Sequence, residues 1–377
     1  MTGLYLHIPF CKSRCIYCGF YSTTMDDMKD SYVEALCKEM QMRKTDDIIS
    51  TVYLGGGTPS QLSPTQLRTL LYNINKVYHI SDDAEITLEC NPDDITPAYS
   101  QLINELPINR VSIGVQTFHD DRLRFLHRRH TSSQIKEAVS LLRDAGISNI
   151  SIDLMFGFPG ETMEEWRHDI SEALHLNVEH ISAYALMYEH GTPLYRMLEQ
   201  QEGAHGSGLK KIDEEASLAM YEELMCQLEA AGYTHYEISN FGKIRSRHNS
   251  SYWQRIPYIG LGAAAHSYNL VSRWWNVAVV KKYIELINQG MLPTEDTEIL
   301  DRETQYNDMV TTALRTREGI SLSLLKELFG MEYHNYLLEN AQKNIARHLL
   351  EITGDYIHLT RKGLFISDTV MSDLIHV

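Results

Sequence analysis

Short apolar, β-prone runs alternate with stretches of helical periodicity from the first residues to about residue 240. The runs predict strands over Leu4–Ile8, Thr51–Leu54, Glu85–Glu89, Arg110–Val115, Asn149–Leu154 and His180–Leu186. Helices are expected between them, over Ser31–Arg43, Pro64–Tyr78, Ser132–Ala145, Met163–Leu174 and Glu214–Ala231. Ser63 and Pro64 form an N-cap and first-turn pair, and Gly146 and Gly232 stand where a helix C-terminus favours glycine. Six strand–helix units in series imply a parallel sheet with right-handed crossovers. Curled on itself, such a sheet is a complete or partial barrel with its site at the C-terminal strand ends.

The polar and glycine signals fall at those ends. Cys11 follows the first strand and the run Gly55, Gly56, Gly57, Thr58 follows the second. Glu89 ends the third, Gln116 follows the fourth, and Asp153 lies near the end of the fifth. Ala204–Gly208 reads as a loop, and residues 241–290 are aromatic-rich and irregular. Helices are expected again over Glu303–Arg315, Ser323–Phe329 and Tyr333–His348, then a strand Tyr356–Thr360 and a terminal helix Lys362–Ile375. The expected organisation is an α/β partial (β/α)6 TIM-like barrel over 1–240, a bridging segment over 241–295, and a mostly helical, winged-helix-like domain over 296–377.

Composition narrows the function classes. The 377 residues carry a net charge of −16, with 50 acidic and 34 basic side chains, which argues against nonspecific nucleic-acid binding. No apolar run is long enough for a transmembrane helix, and no basic-then-apolar leader stands at the start, so a cytoplasmic protein is expected. Of the six cysteines, Cys37, Cys90 and Cys226 are scattered and read as small buried hydrophobes.

Cys11, Cys15 and Cys18 form a C-x3-C-x2-C cluster. A structural zinc site would want a fourth ligand, and a C-x2-C redox pair would leave Cys11 idle. An iron–sulfur cubane needs four ligands, so three thiolates would hold it with one iron open to an exogenous molecule. The glycine run either makes a tight turn or lets backbone approach a ligand. Glu89 and Asp153, in strands expected to be buried, are either structural ion-pair partners or ligand contacts. Arg128 stands in the charged run Leu126–His130, where a solvated face is the competing reading. His248 is flanked by Asn249, Tyr252 and Trp253, a polar and aromatic neighbourhood that suits a flat ligand by stacking or an imidazole–metal bond.

The stretch from Tyr5 through Cys11, Cys15 and Cys18 to Phe20 resembles radical S-adenosylmethionine (SAM) proteins. It is similar to the branch containing oxygen-independent coproporphyrinogen III oxidases and HemW-type heme chaperones. The resemblance spans nearly the whole chain. It implies a 4Fe-4S cluster on Cys11, Cys15 and Cys18, with SAM on the fourth iron and its S–C5′ bond cleaved by a cluster electron. It further implies SAM contacts by Tyr5, Tyr17, Gly56, Gly57, Thr58, Glu89, Gln116, Arg128 and Asp153. Oxidases of this branch usually carry a further cysteine where Gly19 and Phe20 stand here, and the HNxxYW motif at residues 248–253 marks the chaperone type. The resemblance thus implies heme carried near His248 and passed to a respiratory enzyme, with porphyrinogen oxidation as the alternative. An oxidase pocket should cluster basic residues, for which Arg128, Arg129, Arg245 and Arg247 are the candidates.

Overall fold

The computed structural model describes residues 1–202 and 209–376. The loop expected at Ala204–Gly208 lies outside the described residues. Six strands build the barrel wall: β1 (Thr2–Ile8), β2 (Ile48–Gly56), β3 (His79–Cys90), β4 (Arg110–Gln116), β5 (Asn149–Phe156) and β6 (His180–Ala185). They pair in sequence order, all parallel. Helices α1 (Lys29–Met42), α2 (Pro64–Val77), α3 (Pro97–Asn104), α4 (Asp120–Phe125), α5 (Ser132–Asp144), α6 (Met163–His175), α7 (Pro193–Glu202) and α8 (Glu214–Ala230) follow the strands. Ser63 caps α2 with a full capping box, and Pro64 opens it.

The strands share one side-chain rule. Leu4, Leu6 and Ile8, then Val52 and Leu54, then Ile86 and Leu88, are buried in the main apolar core. Val111, Ile113 and Val115, then Ile150, Ile152 and Leu154, continue that face. The alternate positions, among them Tyr5, Tyr53, Glu89, Arg110, Ser112, Gln116, Asp153 and Ser182, line a cavity inside the curl. Period-two alternation therefore puts the oil outside, under the helices, and the polar groups inside.

Residues 241–290 are regular where the sequence reads as irregular. After β7 (Thr234–Glu237) and β8 (Asn240–Gly242) come α9 (Arg247–Trp253), β9 (Tyr258–Leu261), β10 (His266–Tyr268), β11 (Ser272–Asn276) and α10 (Val280–Asn288), then β12 (Thr294–Ile299). These strands extend the same sheet at both sides, in the order β12-β11-β10-β9-β1-β2-β3-β4-β5-β6-β8-β7. β9 lies parallel to β1, so a segment some 250 residues away in sequence supplies the neighbour of the first strand. Runs of three to five residues are too short for a visible period, which hides them from pattern reading. Gly260 permits the turn back: a Cβ there would stand 1.9 Å from the carbonyl oxygen of His266.

The C-terminal region holds α11 (Arg302–Ala313), β13 (Ile320–Ser321), α12 (Leu322–Ala346), β14 (Leu350–Thr353), β15 (Tyr356–Leu359), α13 (Arg361–Leu364) and α14 (Ser367–Ser372) around its own apolar core. Gly330, at φ 78°, breaks α12 between the two helices expected there. The single terminal helix expected over Lys362–Ile375 is instead the two short helices α13 and α14.

One carboxylate ties the late strands to the first helix. Glu39 on α1 is fully buried and bonds Arg43 Nε at 2.9 Å. It also accepts from Asn276 Nδ2 at 2.7 Å, Gly262 N at 2.8 Å and Tyr283 OH at 2.7 Å. Glu39→Ala leaves three neutral donors and a cation without this acceptor, and we expect a loss of about 3–5 kcal/mol in urea denaturation. A variant within 1 kcal/mol of wild type would show that this tie is dispensable.

Candidate functional site

The curled sheet encloses a cavity of about 860 Å³. It runs from the cysteine loop at the C-terminal strand ends to α9 at the other end. Every residue expected to hold the cluster, SAM or heme lines it. Cys11, Cys15, Tyr17 and Cys18 form the upper wall, and Gly56, Gly57 and Thr58 the adjoining rim. Tyr5, Glu89, Gln116, Arg128, Asp153 and His248 complete the surface.

The cysteine loop is pinned through Ile16. Its N–H donates to Leu126 O at 3.2 Å, and its carbonyl accepts from Leu194 N at 3.0 Å. The Ile16 side chain packs with Leu126, Met155, Phe158, Leu186 and Leu194 in a separate apolar cluster. The thiols are free, and two already have donors: Thr58 Oγ1 lies 3.4 Å from Cys11 Sγ, and Arg128 Nη1 lies 3.7 Å from Cys15 Sγ. Burial pushes the Cys11 and Cys18 thiols up, so a bound cation is what would hold them as thiolates. Among the described residues no three Cys, His, Asp or Glu side chains converge as ligands of a single ion would.

The glycine run serves packing as well as access. Gly57 N donates to Ile8 O at 2.8 Å, and a Cβ at Gly57 would stand 2.7 Å from the Pro9 backbone. Gly56 has φ 112°, and its N–H donates to Glu89 Oε2 at 3.1 Å. Glu89 Oε1 accepts from Tyr53 OH at 2.7 Å. Burial, opposed by these donors, raises the Glu89 carboxyl to about 7. Burial likewise raises Asp153 to about 6, against a Ser182 hydrogen bond and the nearby Arg110 and Arg128. Gln116 sits at φ 70° where the β4–β5 register slips, so its side chain is turned into the cavity. Arg128 Nη2 donates to Asn91 Oδ1 at 2.7 Å and to Gly114 O, while Nε is buried without a partner.

His248 occupies the opposite end. Its Nδ1 pairs with Thr51 Oγ1 and its Nε2 with Tyr252 OH, each at 2.8 Å. The ring stacks on Tyr53 at 5.0 Å between centroids. Glu85 accepts the first N–H groups of α9, from Arg247 and His248, each at 3.0 Å. The partners Gly3, Thr51 and Glu85 all lie toward the beginnings of their strand pairings, so α9 is the floor of the lumen. Burial, and then Arg110, lower the imidazole to about 3. With both nitrogens so engaged, an imidazole–metal bond at His248 would have to displace Thr51 or Tyr252.

The basic candidates separate too. Arg245 pairs with Glu318, and Arg247 with Asp83. Arg128 and Arg129 line the cavity, joined by two that the sequence did not single out, Arg14 and Arg110. Arg110 was legible in principle, since it shares strand phase with Ser112, Gly114 and Gln116.

The chemistry of the donor set fits a cluster and an adenosyl sulfonium. Three free thiols face a lumen that holds two carboxylates for ammonium or hydroxyl groups and a guanidinium for a carboxylate. Comparison with known proteins agrees. The Radical SAM superfamily model matches residues 5–173, and the HemN C-terminal domain model matches residues 300–366. The fold is that of coproporphyrinogen III oxidase (HemN) from Escherichia coli, with a TM-score of 0.85 at 20% identity over 99% of this chain and 90% of that one. The chain is thus a radical SAM barrel protein with a HemN-type C-terminal domain. It is 37% identical to the heme chaperone HemW of Bacillus subtilis, over 98% of each chain. It is 34% identical to that of Lactococcus lactis, over 98% of this chain and 96% of the other. The chain belongs to the HemW family.

Glu89 binds its proton more tightly folded than unfolded, where its value is 4.5. Its ionisation therefore costs the ligand-free fold stability as pH rises from about 4.5 to 7. Glu89→Gln should flatten this part of the stability–pH profile, stabilising the apoprotein at pH 8 but not at pH 4.5. Melting curves across that range check it, and a variant whose profile keeps the wild-type slope contradicts it.

Proposed function

We propose that the protein is a heme chaperone that binds a 4Fe-4S cluster, SAM and heme and delivers heme to respiratory enzymes. The observation that carries the reading is convergence: every residue that the resemblance marks for cluster or SAM lines one cavity. Cys11, Cys15 and Cys18 would hold the cluster, which supplies one-electron chemistry at an open iron. Tyr5, Tyr17, Gly56, Gly57, Thr58, Glu89, Gln116, Arg128 and Asp153 would enclose SAM. The relatives named heme chaperone HemW support the cargo. Heme would be carried near His248, which fixes α9 and stacks on Tyr53 at the floor of the cavity. No helix among the described residues is long and apolar enough to cross a membrane, so delivery to a membrane enzyme would be by docking.

One observation favours oxidation of coproporphyrinogen III as the second reading. Four arginines line the cavity of a chain whose net charge is −16, which suits a ligand bearing carboxylates. Anaerobic reconstitution followed by parallel assays separates the two. We expect stoichiometric heme binding and no protoporphyrinogen under conditions that activate an oxidase. Turnover of coproporphyrinogen would favour the second reading, and failure to bind heme would remove the first.

A further inference from the structure

Arg110 is the least explained charge among the described residues. It opens β4, is 1% exposed, and its Nε and Nη1 atoms are buried without a hydrogen-bond partner. It also lines the cavity. The nearby lumen carboxylates are engaged elsewhere: Glu89 with Tyr53 and Gly56, and Asp153 with Ser182. The neighbouring histidines are neutral and saturated. His180 bonds Ser151 and Tyr236, each at 2.7 Å, and His248 bonds Thr51 and Tyr252. A buried guanidinium with idle donors calls for an anion, and a carboxylate matches its planar geometry.

We propose that Arg110 anchors a carboxylate of the ligand in the lower lumen, a propionate of the bound tetrapyrrole. This rests on the tetrapyrrole reading of the cavity. The register places Arg110 opposite Thr87 and Asn149, whereas the rim residues Gly55 and Gly56 pair with the end of β1. Arg110 is thus at the far end of the lumen from the cysteine loop. A SAM molecule whose amino-acid end meets the cysteine loop has Arg128 beside it, so the carboxylate at Arg110 comes from a second ligand.

The test compares wild type with Arg110→Gln and Arg110→Met in the full chain, using heme, heme dimethyl ester, SAM and 5′-methylthioadenosine as probes. Because Nε and Nη1 of the arginine have no hydrogen-bond partner in the protein, both ligand-free variants should melt at or above the wild-type temperature. Heme should bind about 10- to 100-fold more weakly to the variants, and the dimethyl ester equally to all three proteins. SAM relative to 5′-methylthioadenosine should be unchanged. Equal heme affinity in all three, or equal loss for acid and ester, overturns the assignment. So do destabilised apo variants, which would mark Arg110 as structural. A loss confined to SAM would assign the carboxylate to SAM instead. Wild type that binds no heme removes the parent reading, and this one with it.

Discussion

The phase of six strands decides everything else about this molecule. Each strand sends aliphatic side chains outward, under the helices, and polar ones inward. Such a sheet cannot close down on an apolar centre, because its inner face carries glutamate, aspartate, arginine, serine and tyrosine. It curls around a space that has to be filled with polar matter. A one-residue slip in any strand would exchange the two faces, so the helix layer enforces the lumen's chemistry as firmly as it enforces the fold.

The lumen has two ends built by different logic. At the upper end, loops after the strands are held by backbone bonds through Ile16 and by glycines that let the chain pass close over β1. These leave three thiols and a set of charged groups free to meet a ligand. At the lower end, α9 is fastened by Glu85, Thr51 and a stack of rings, and both nitrogens of its His248 are hydrogen-bonded. The residues that look most chemical in the sequence there, His248 and Tyr252, are spent on each other. We read the HNxxYW motif as the floor that sets the depth of the cavity, and among the cavity's charged groups Arg110 is left near it with two nitrogens unpartnered.

Much of this was legible in advance. The six barrel strands and the convergence of Cys11, Gly56, Glu89, Gln116 and Asp153 on one rim follow from period and position alone. Arg128 was ambiguous, because a run of charged residues is usually solvated. Only the fold shows it reaching Asn91 and Cys15. The late strands β9–β11 escaped notice because each is only three to five residues long, and because β9 finds its partner at the other end of the chain. The packing of His248 was hidden for a related reason: sequence shows the neighbours along the chain, whereas Thr51 and Tyr53, which hold its ring, come from β2. Arg110 was missed although its strand phase was known, since a strand's first residue gives no hint of whether a partner waits for it.

The claim beneath the account is that the three thiolates present a metal cluster with one open site to the polar lumen. Electron paramagnetic resonance of the anaerobically reconstituted, reduced protein tests this most directly, with and without SAM. The account predicts a cubane spectrum that shifts on adding SAM in wild type and stays fixed in Asp153→Asn, whose lumen wall is altered while its thiols are intact. A spectrum indifferent to SAM in wild type, or a protein that takes up zinc in place of a cluster, would contradict it.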